Sequence, residues 1–219
     1  MKITKYPQSC LLIESGDKKI LIDPGVLSYE DSFLNDWKNV DLILITHKHA
    51  DHCNVEVIKE IIKNGKTKIY SSSEVKETYF DLPINIVKYD DFFKFENIKI
   101  EVVKAVHGYL PHLKGKNEVL ENIGFILNIE GKRIYVTSDT ICFNNDYKCD
   151  VLAVSISGHG LVMEPFEAAL FAKEIEADLV LPIHGDNPLF PINFDELENN
   201  FKKLELNYKY LKIKEILEI

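Results

Sequence analysis

Short apolar runs in the first half of the chain predict β-strands. Residues 10–14 (CLLIE) and 19–23 (KILID) flank a polar SGDK segment, which predicts a hairpin. The continuous apolar run 41–46 (DLILIT) is typical of a strand that is buried on both faces. Apolar residues with helical spacing follow over residues 54–63, and residues 68–71 are a further strand candidate. This half therefore predicts several strands and an intervening helix.

The second half repeats this alternation of strands and helices. Helices are predicted over residues 164–175, where Pro165 stands near the first turn, and over residues 194–204. Two comparable halves predict an α/β protein in which helices cover two sheets, a four-layer αββα sandwich. No Pro-, Gly- or Ser-rich linker divides the chain, so we expect residues 1–219 to form a single domain. The predicted strands are 98–103, 124–129, 133–137, 151–155, 179–183 and 213–217.

Composition and charge narrow the classes of function. The 219 residues are 46% hydrophobic and carry a net charge of −9, which disfavours binding of nucleic-acid phosphates. The sequence shows no apolar stretch behind a basic start and no run of roughly 18 apolar residues, so we expect neither a signal peptide nor a membrane span. The four cysteines form no C-x-x-C pair, which indicates reduced thiols and a cytoplasmic location.

The strongest chemical signal is the segment THKHADH at residues 46–52. It places the imidazoles of His47, His49 and His52 and the carboxylate of Asp51 between a buried strand and a helix. At such a turn the side chains can converge, whereas along a straight strand they would alternate between two faces. Imidazole and carboxylate suit zinc and neighbouring divalent metals. The segment therefore predicts a metal site, against the alternative of a solvated polar loop.

Further ligand candidates stand where other predicted strands end. They are Asp23, His107, Asp139 and His184. Taken singly, His107 has an ordinary explanation as a hydrogen-bonding histidine, and the two aspartates have one as turn or cap residues. Because sites in open α/β sheets form outside the carboxyl ends of strands, we expect these four residues to share one rim with the THKHADH turn.

These motifs, in this order, resemble those of the metallo-β-lactamase superfamily over nearly the whole chain. The segments KILIDPG at 19–25, GKRIYVTSDT at 131–140 and GLVMEPFEAA at 160–169 are similar to its small UlaG-like or UPF0173-like branch. The resemblance implies an αββα fold with a dinuclear metal site. The implied ligands are His47, His49 and His107 for one metal and Asp51, His52 and His184 for the other, with Asp139 bridging and Asp23 orienting ligands without binding metal.

Two departures from the family pattern stand out. The bridging aspartate follows Ser138, where relatives usually have glycine, so a small residue is retained. Near the fourth motif, where a Gly-Gly pair is common, the segment 157–160 (SGHG) adds an imidazole. His159 is therefore a candidate catalytic proton donor or substrate contact, with a surface or structural role as the alternative.

The polar segment 108–122 is too long for a plain turn and directly follows His107. Long loops in compact domains are usually functional or disordered. We expect this loop to overhang the metals, with Tyr109, His112, Lys114 or Lys116 contacting the substrate.

The resemblance implies a metal-dependent hydrolase. Two divalent metals, zinc by preference and manganese or iron as alternatives, would activate a shared water as the hydroxide nucleophile. Asp51 is expected to orient that nucleophile and to pass a proton to the leaving group. The favoured substrate is a small-molecule ester, lactone or phosphodiester. The alternatives are a nuclease of the same fold and a metal-binding sensor or redox protein without turnover. The acidic charge argues against the nuclease, and nucleic acid is not expected as a partner. Assembly into a homo-oligomer stays open.

Overall fold

The computed structural model describes residues 1–63, 65–111, 118–188 and 190–219. In chain order the strands are β1 Lys2–Lys5, β2 Leu11–Ser15, β3 Lys18–Ile22, β4 Leu42–Leu44, β5 Lys68–Ser71, β6 Ile84–Ile86, β7 Phe92–Phe95, β8 Ile98–Lys104, β9 Ile123–Ile129, β10 Lys132–Val136, β11 Val151–Ser155, β12 Leu179–Ile183 and β13 Ile216–Glu218. The helices are α1 Phe33–Trp37, α2 Val55–Ile62, α3 Ser73–Thr78, α4 Pro165–Ile175 and α5 Phe194–Lys203.

The strands form two sheets whose parallel segments end toward one rim. The seven-stranded sheet has the order β13-β1-β2-β3-β4-β5-β6, and β3 to β6 pair in parallel. The six-stranded sheet has the order β12-β11-β10-β9-β8-β7, and β10, β11 and β12 pair in parallel. Strands β8 and β10 are both antiparallel to β9 and therefore run in the same direction. The carboxyl ends of β8, β10, β11 and β12 consequently lie along one edge of the six-stranded sheet.

Apolar side chains fill the space between the two sheets. Ile13 and Ile22 of the seven-stranded sheet share one buried cluster with Ile100, Phe125 and Leu127 of the six-stranded sheet. Burial of such side chains is the main favourable contribution to folding, at about 1.5–3 kcal/mol each. The inner faces of both sheets therefore form the central core.

Helices cover the outer face of each sheet. Trp37 of α1, Ile58 of α2 and Val75 of α3 lie in the cluster against the seven-stranded sheet. Phe171 of α4 and Phe201 of α5 lie in the cluster against the six-stranded sheet. The four-layer αββα sandwich that the sequence predicts is thus confirmed. Within the described residues, none of the helices has the length and apolarity that crossing a membrane requires.

Several short elements differ from the sequence-based expectation. Strands β1, β6 and β7 and helices α1 and α3 were not predicted, because each spans only three to six residues and shows too little of its repeat to be recognised. The last strand lies at Ile216–Glu218, later than the predicted 213–217. The longer predicted elements have bounds within one or two residues of those observed, including β4, which is Leu42–Leu44 within the predicted 41–46.

The intersheet core predicts a large stability difference between two phenylalanines. Phe125 is 0% exposed between the sheets, whereas Phe92 on β7 is 56% exposed. We expect Phe125→Ala to lower the free energy of unfolding by about 3–5 kcal/mol, because a cavity replaces the ring. The matched control Phe92→Ala should change it by about 0.5 kcal/mol or less. Urea titrations of both variants measure this, and equal losses would contradict the described packing.

Candidate metal centre

Every sequence-predicted ligand lies at the rim where strands of the two sheets end. The THKHADH turn follows β4 in the seven-stranded sheet. His107 follows β8, Asp139 follows β10 and His184 follows β12, all in the six-stranded sheet. The parallel strand directions described above are therefore what brings these distant segments of the chain together.

The ligand candidates form two groups, within each of which one ligand atom per residue lies within 4.8 Å of the others. We call them the three-histidine group (His47, His49 and His107) and the mixed group (Asp51, His52, Asp139 and His184). The two groups adjoin each other, since the ring centroids of His47 and His52 are 4.1 Å apart. This division follows the two ligand sets implied by the family resemblance, except that Asp139, the expected bridge, lies in the mixed group; metal binding by these residues stays a prediction.

Three strand ends at the rim adopt left-handed backbone conformations. The φ angles are 49° at Asp23, 67° at Ser138 and 60° at His184. Left-handed conformations are uncommon for residues other than glycine and cost roughly 1–2 kcal/mol. Such conformations persist where surrounding contacts hold them, and they concentrate at functional sites. The chain thus turns sharply out of β3, β10 and β12 where the candidate site begins.

Asp23 is a fully buried carboxylate that holds the mixed group from behind. Its Oδ1 accepts the main-chain N–H of Thr46 and its Oδ2 accepts the Thr46 hydroxyl, each at 2.8 Å. The same Oδ2 lies 2.8 Å from Nδ1 of His52. With Nδ1 engaged there, Nε2 of His52 is presented to Asp139, 3.3 Å away. This arrangement suits the orienting role predicted for Asp23, which stays a prediction.

The buried imidazole nitrogens fit a metal-binding function. Within the part of the chain that the structure describes, Nε2 of His47 is buried with no hydrogen-bond partner. The buried Nε2 atoms of His52 and His184 form no hydrogen bond either and face only carboxylate oxygens of the mixed group, 3.3 Å away. His107 has Nδ1 within 2.8 Å of its neighbour's carbonyl oxygen, Gly108 O. An unpartnered buried polar atom is unfavourable, and a metal ion would remove that cost. Imidazole nitrogens together with carboxylate oxygens are a donor set for divalent transition metals.

Asp139 lies at the centre of the mixed group and is only 4% exposed. Nε2 of His184 and Nε2 of His52 both lie 3.3 Å from its Oδ2. Its Oδ1 accepts the Ser155 hydroxyl at 3.3 Å, and its main-chain oxygen accepts the Asn122 amide at 2.6 Å. Sequence analysis missed Thr46, Asn122 and Ser155 as supporting residues. Thr46 and Ser155 carried a signal, because each is a polar residue at the end of an apolar strand.

Electrostatics keep the three-histidine group ready for a cation. Burial, together with the neighbouring imidazoles, holds the pKa of His47 well below its usual range. Burial also lowers the pKa of His107. Both rings are therefore neutral at physiological pH, which is the form that binds a metal.

The mixed group has the opposite electrostatic character. Burial would lower the pKa of His52 and of His184, but nearby carboxylates, Asp139 foremost, outweigh it and raise both. Burial would raise the pKa of Asp51, but His52 and His184 outweigh it and lower that pKa to about 2. The pKa of Asp139 is likewise held well below its usual range by these imidazoles. The carboxylates thus attract positive charge, which protons or a divalent cation can supply.

An ion pair that no sequence motif indicated lies behind His184. Lys5 is 2% exposed, and its Nζ lies 3.5 Å from Oδ2 of Asp186. Asp186 also accepts the main-chain N–H of Gln8 at 3.0 Å. The main-chain oxygen of Gln8 in turn accepts the main-chain N–H of His184 at 3.0 Å. Burial lowers the pKa of Lys5 while Asp186 opposes the shift. The end of β1 is thereby tied to the turn that carries His184.

The remaining predicted site residues lie around the two groups. His159 is half-buried, and its ring centroid lies 4.3 Å from that of Phe190. Tyr109 is 56% exposed, and its neighbour Gly108 donates its N–H to the Leu161 oxygen at 2.8 Å. The other predicted substrate-loop residues, His112, Lys114 and Lys116, lie outside the described residues. The substrate contacts expected of this loop stay predictions.

Comparison with known proteins shows which family the chain belongs to. A family model described as a beta-lactamase superfamily domain matches residues 2–184. The chain belongs to the beta-lactamase superfamily. Curated relatives named UPF0173 metal-dependent hydrolases include one from Flavobacterium johnsoniae, 29% identical over the full length of both chains. Another, from Listeria innocua, is 30% identical over 84% of this chain and 85% of its own. The expectation of a metal-dependent hydrolase is thus confirmed at the level of the family.

Two solved structures share the fold over all or nearly all of the chain. Igni18, a metallo hydrolase from Ignicoccus hospitalis, has a TM-score of 0.81 and 22% identity, covering 100% of this chain and 98% of its own. A protein from Parabacteroides distasonis has a TM-score of 0.80 and 23% identity, covering 96% and 92%. At these identities the likeness establishes the architecture.

Removal of the Asp23 charge should weaken metal binding in this superfamily member. In Asp23→Asn the side chain keeps its size, and asparagine tolerates the left-handed backbone at this position. The loss of the carboxylate that faces His52 Nδ1 should reduce the affinity of the mixed group for Zn²⁺ by about 10- to 100-fold. Calorimetric titration of the metal-free protein with Zn²⁺ measures this. Asp17→Asn, at an 88% exposed side chain, is the matched control and should leave both affinities unchanged.

Acidification should release a metal from the mixed group before the three-histidine group. Because the pKa values of His52 and His184 are raised, protons compete there at a higher pH, whereas the lowered pKa of His47 keeps the other group proton-free. His107→Ala leaves the mixed group intact, and His184→Ala leaves the three-histidine group. Between about pH 8 and about pH 6, Zn²⁺ affinity should fall further in His107→Ala than in His184→Ala. The reverse order would contradict the described electrostatics.

Proposed function

We propose that this protein hydrolyses a small-molecule ester, lactone or phosphodiester with the aid of two divalent metal ions, zinc by preference. The observation that carries the proposal is the pair of adjoining ligand groups at one rim, with three buried imidazole nitrogens that lack hydrogen-bond partners among the described residues. The metal-dependent hydrolase class of the curated relatives supports it.

Metal ions bound at this rim would lower the pKa of water and polarise the bond that is cleaved. Asp51 is the residue best placed to handle the proton. Its side chain is 26% exposed, more open than its fully buried neighbour His52, and its pKa of about 2 keeps it ionised. A carboxylate in this state accepts hydrogen bonds and orients a water molecule before attack. It would take up the proton that the attacking water gives up and pass that proton to the leaving group.

His159 is proposed to contact the substrate or donate a proton to the leaving group. Burial lowers its pKa, which Asp139 opposes, and the charges of His184 and His107 also act on it. His159 therefore interacts electrostatically with residues of both ligand groups. A neutral imidazole has one N–H to donate and one acceptor nitrogen, so it suits either role.

The other functions considered gain no support from the described residues. The net charge of −9 is unfavourable for a nuclease, which must approach a phosphate backbone. A metal-binding protein without turnover is disfavoured because the two ligand groups retain every ligand residue that the family resemblance implies. We therefore retain the small-molecule hydrolase.

The direct test combines metal analysis with a substrate panel. We expect purified protein to bind two metal equivalents and to cleave model lactones, carboxylic esters or bis(p-nitrophenyl) phosphate. His47→Ala and Asp139→Ala should each lower the metal content and reduce kcat/KM by at least about 10³-fold, because each removes a ligand. Cleavage of structured RNA in preference to every small substrate would overturn the proposal, as would full turnover by metal-free protein.

His159→Asn tests the proposed role of His159 separately from metal binding. Asparagine tolerates the left-handed conformation of this residue, whose φ is 55°. We expect kcat/KM to fall by about 10- to 100-fold while metal content stays unchanged. Unchanged kcat/KM on every substrate that the unaltered protein cleaves would assign His159 a structural role.

A further inference from the structure

A pocket lies beside the metal rim, and of its lining residues the chemistry described above uses only His159. Its volume is about 330 Å³, and we call it the His159 pocket. Six of its lining residues carry the argument: Ser157, His159, Glu164, Phe190, Ile192 and Glu196. Their properties define what the pocket can bind.

The His159 pocket adjoins ligands of both groups through close backbone packing. A Cβ atom at Gly185, the residue after His184, would lie 2.9 Å from the Ile192 side chain. A Cβ atom at Gly108, the residue after His107, would lie 2.2 Å from the main-chain oxygen of Gly160. The pocket wall is therefore packed directly against the segments that carry two of the ligands.

The backbone around His159 is held in an unusual conformation. Gly158, His159 and Gly160 are three consecutive left-handed residues, with φ angles of 73°, 55° and 79°. Left-handed residues usually occur singly, and a side chain there is strained. The segment is tied down by a hydrogen bond from Gly158 N–H to the Met163 oxygen at 3.0 Å. This turn sets the position of the imidazole at the pocket wall.

The walls of the pocket combine an apolar side with polar groups, and one of these groups is an unused hydrogen-bonding group. The Phe190 ring packs against the His159 ring, and Ile192 and the prolines at 165 and 191 line the remaining surface. Ser157 is only 7% exposed, and its hydroxyl has no hydrogen-bond partner within the described residues. An apolar ligand with a single polar group would bury these rings and pair with that hydroxyl.

Charge disfavours an anionic occupant. Helices α4 and α5 both begin at this pocket, but the protein's own side chains already cap them. The Glu164 carboxylate takes part in a capping box, and the Asn193 side chain accepts the N–H of Asp195 at 3.1 Å and of Glu196 at 3.2 Å. The carboxylates of Glu164 and Glu196 add negative charge at the pocket. A second anion would be repelled there.

The geometry points to the His159 pocket as the site that binds the part of the substrate that does not react. That part is apolar and uncharged or cationic, and an aromatic ring fits it best. This inference rests on the proposed hydrolase function, because it assigns the part of the substrate that does not react. It predicts selectivity for neutral aromatic or aliphatic substituents over anionic ones.

Binding of two matched probes to metal-loaded protein tests the pocket without any need for turnover. The probes are benzamide, which is neutral, and benzenesulfonate, which is anionic. We expect benzamide to bind more tightly than benzenesulfonate by NMR titration. Phe190→Ala should weaken benzamide binding roughly five- to tenfold, because it removes an aromatic contact. Glu196→Gln should narrow the preference for benzamide, because it removes a repulsive charge.

Phe166→Ala is the matched control, because Phe166 is 52% exposed on α4 and does not line the pocket. Equal losses of benzamide affinity in Phe166→Ala and Phe190→Ala would overturn the inference. So would equal affinity for the two probes, or no binding of benzamide. Parallel assays on neutral aryl esters separate it from the hydrolase proposal. Selective benzamide binding without ester hydrolysis would retain the pocket and reject the hydrolysis. Hydrolysis that is insensitive to Phe190→Ala would retain the hydrolase proposal and reject the pocket.

Discussion

The structure depends on one constraint, namely that a cluster of imidazoles and carboxylates withdrawn from water must be balanced by positive charge. Asp23 and His47 are fully buried, and Asp139 and His184 are nearly so. Burial of unpaired ionised groups is strongly unfavourable, so such a cluster persists only when hydrogen bonds and cations compensate it. The opposite pKa shifts of the two groups follow from how carboxylates are distributed between them. Three imidazoles lie on one side, and two carboxylates with two imidazoles lie on the other.

The protein supports this cluster from both sheets. From the seven-stranded sheet, Asp23 engages Thr46 and His52 through three contacts of 2.8 Å. Near β12 of the six-stranded sheet, the buried pair of Lys5 and Asp186 fixes the turn after His184. Both supports are carboxylates that lie close to ligand residues without belonging to either ligand group. Asp23 contacts the His52 ring directly, whereas Asp186 holds the backbone of Gln8, which in turn accepts the main-chain N–H of His184.

Much of this arrangement could be predicted from the sequence, for physical reasons. The THKHADH turn is local, and long strands such as β9 show their period clearly. Asp139 and His184 were found because a strand end is visible in the apolar pattern. Lys5 could not be found, because its pairing with Asp186 joins residues that are 181 positions apart. Phe190 was missed for the same reason, since its place in the pocket depends on a contact with the ring of His159, which is distant in the sequence.

Each ligand group draws members from both halves of the sandwich. The turn after β4 contributes His49 to one group and His52 to the other, while His107 and His184 come from the opposite sheet. A cation in either group would therefore act as a cross-link between the halves, much as a disulfide joins distant segments in small secreted domains. Chelation would then loosen the sandwich at the same moment that it stops the chemistry.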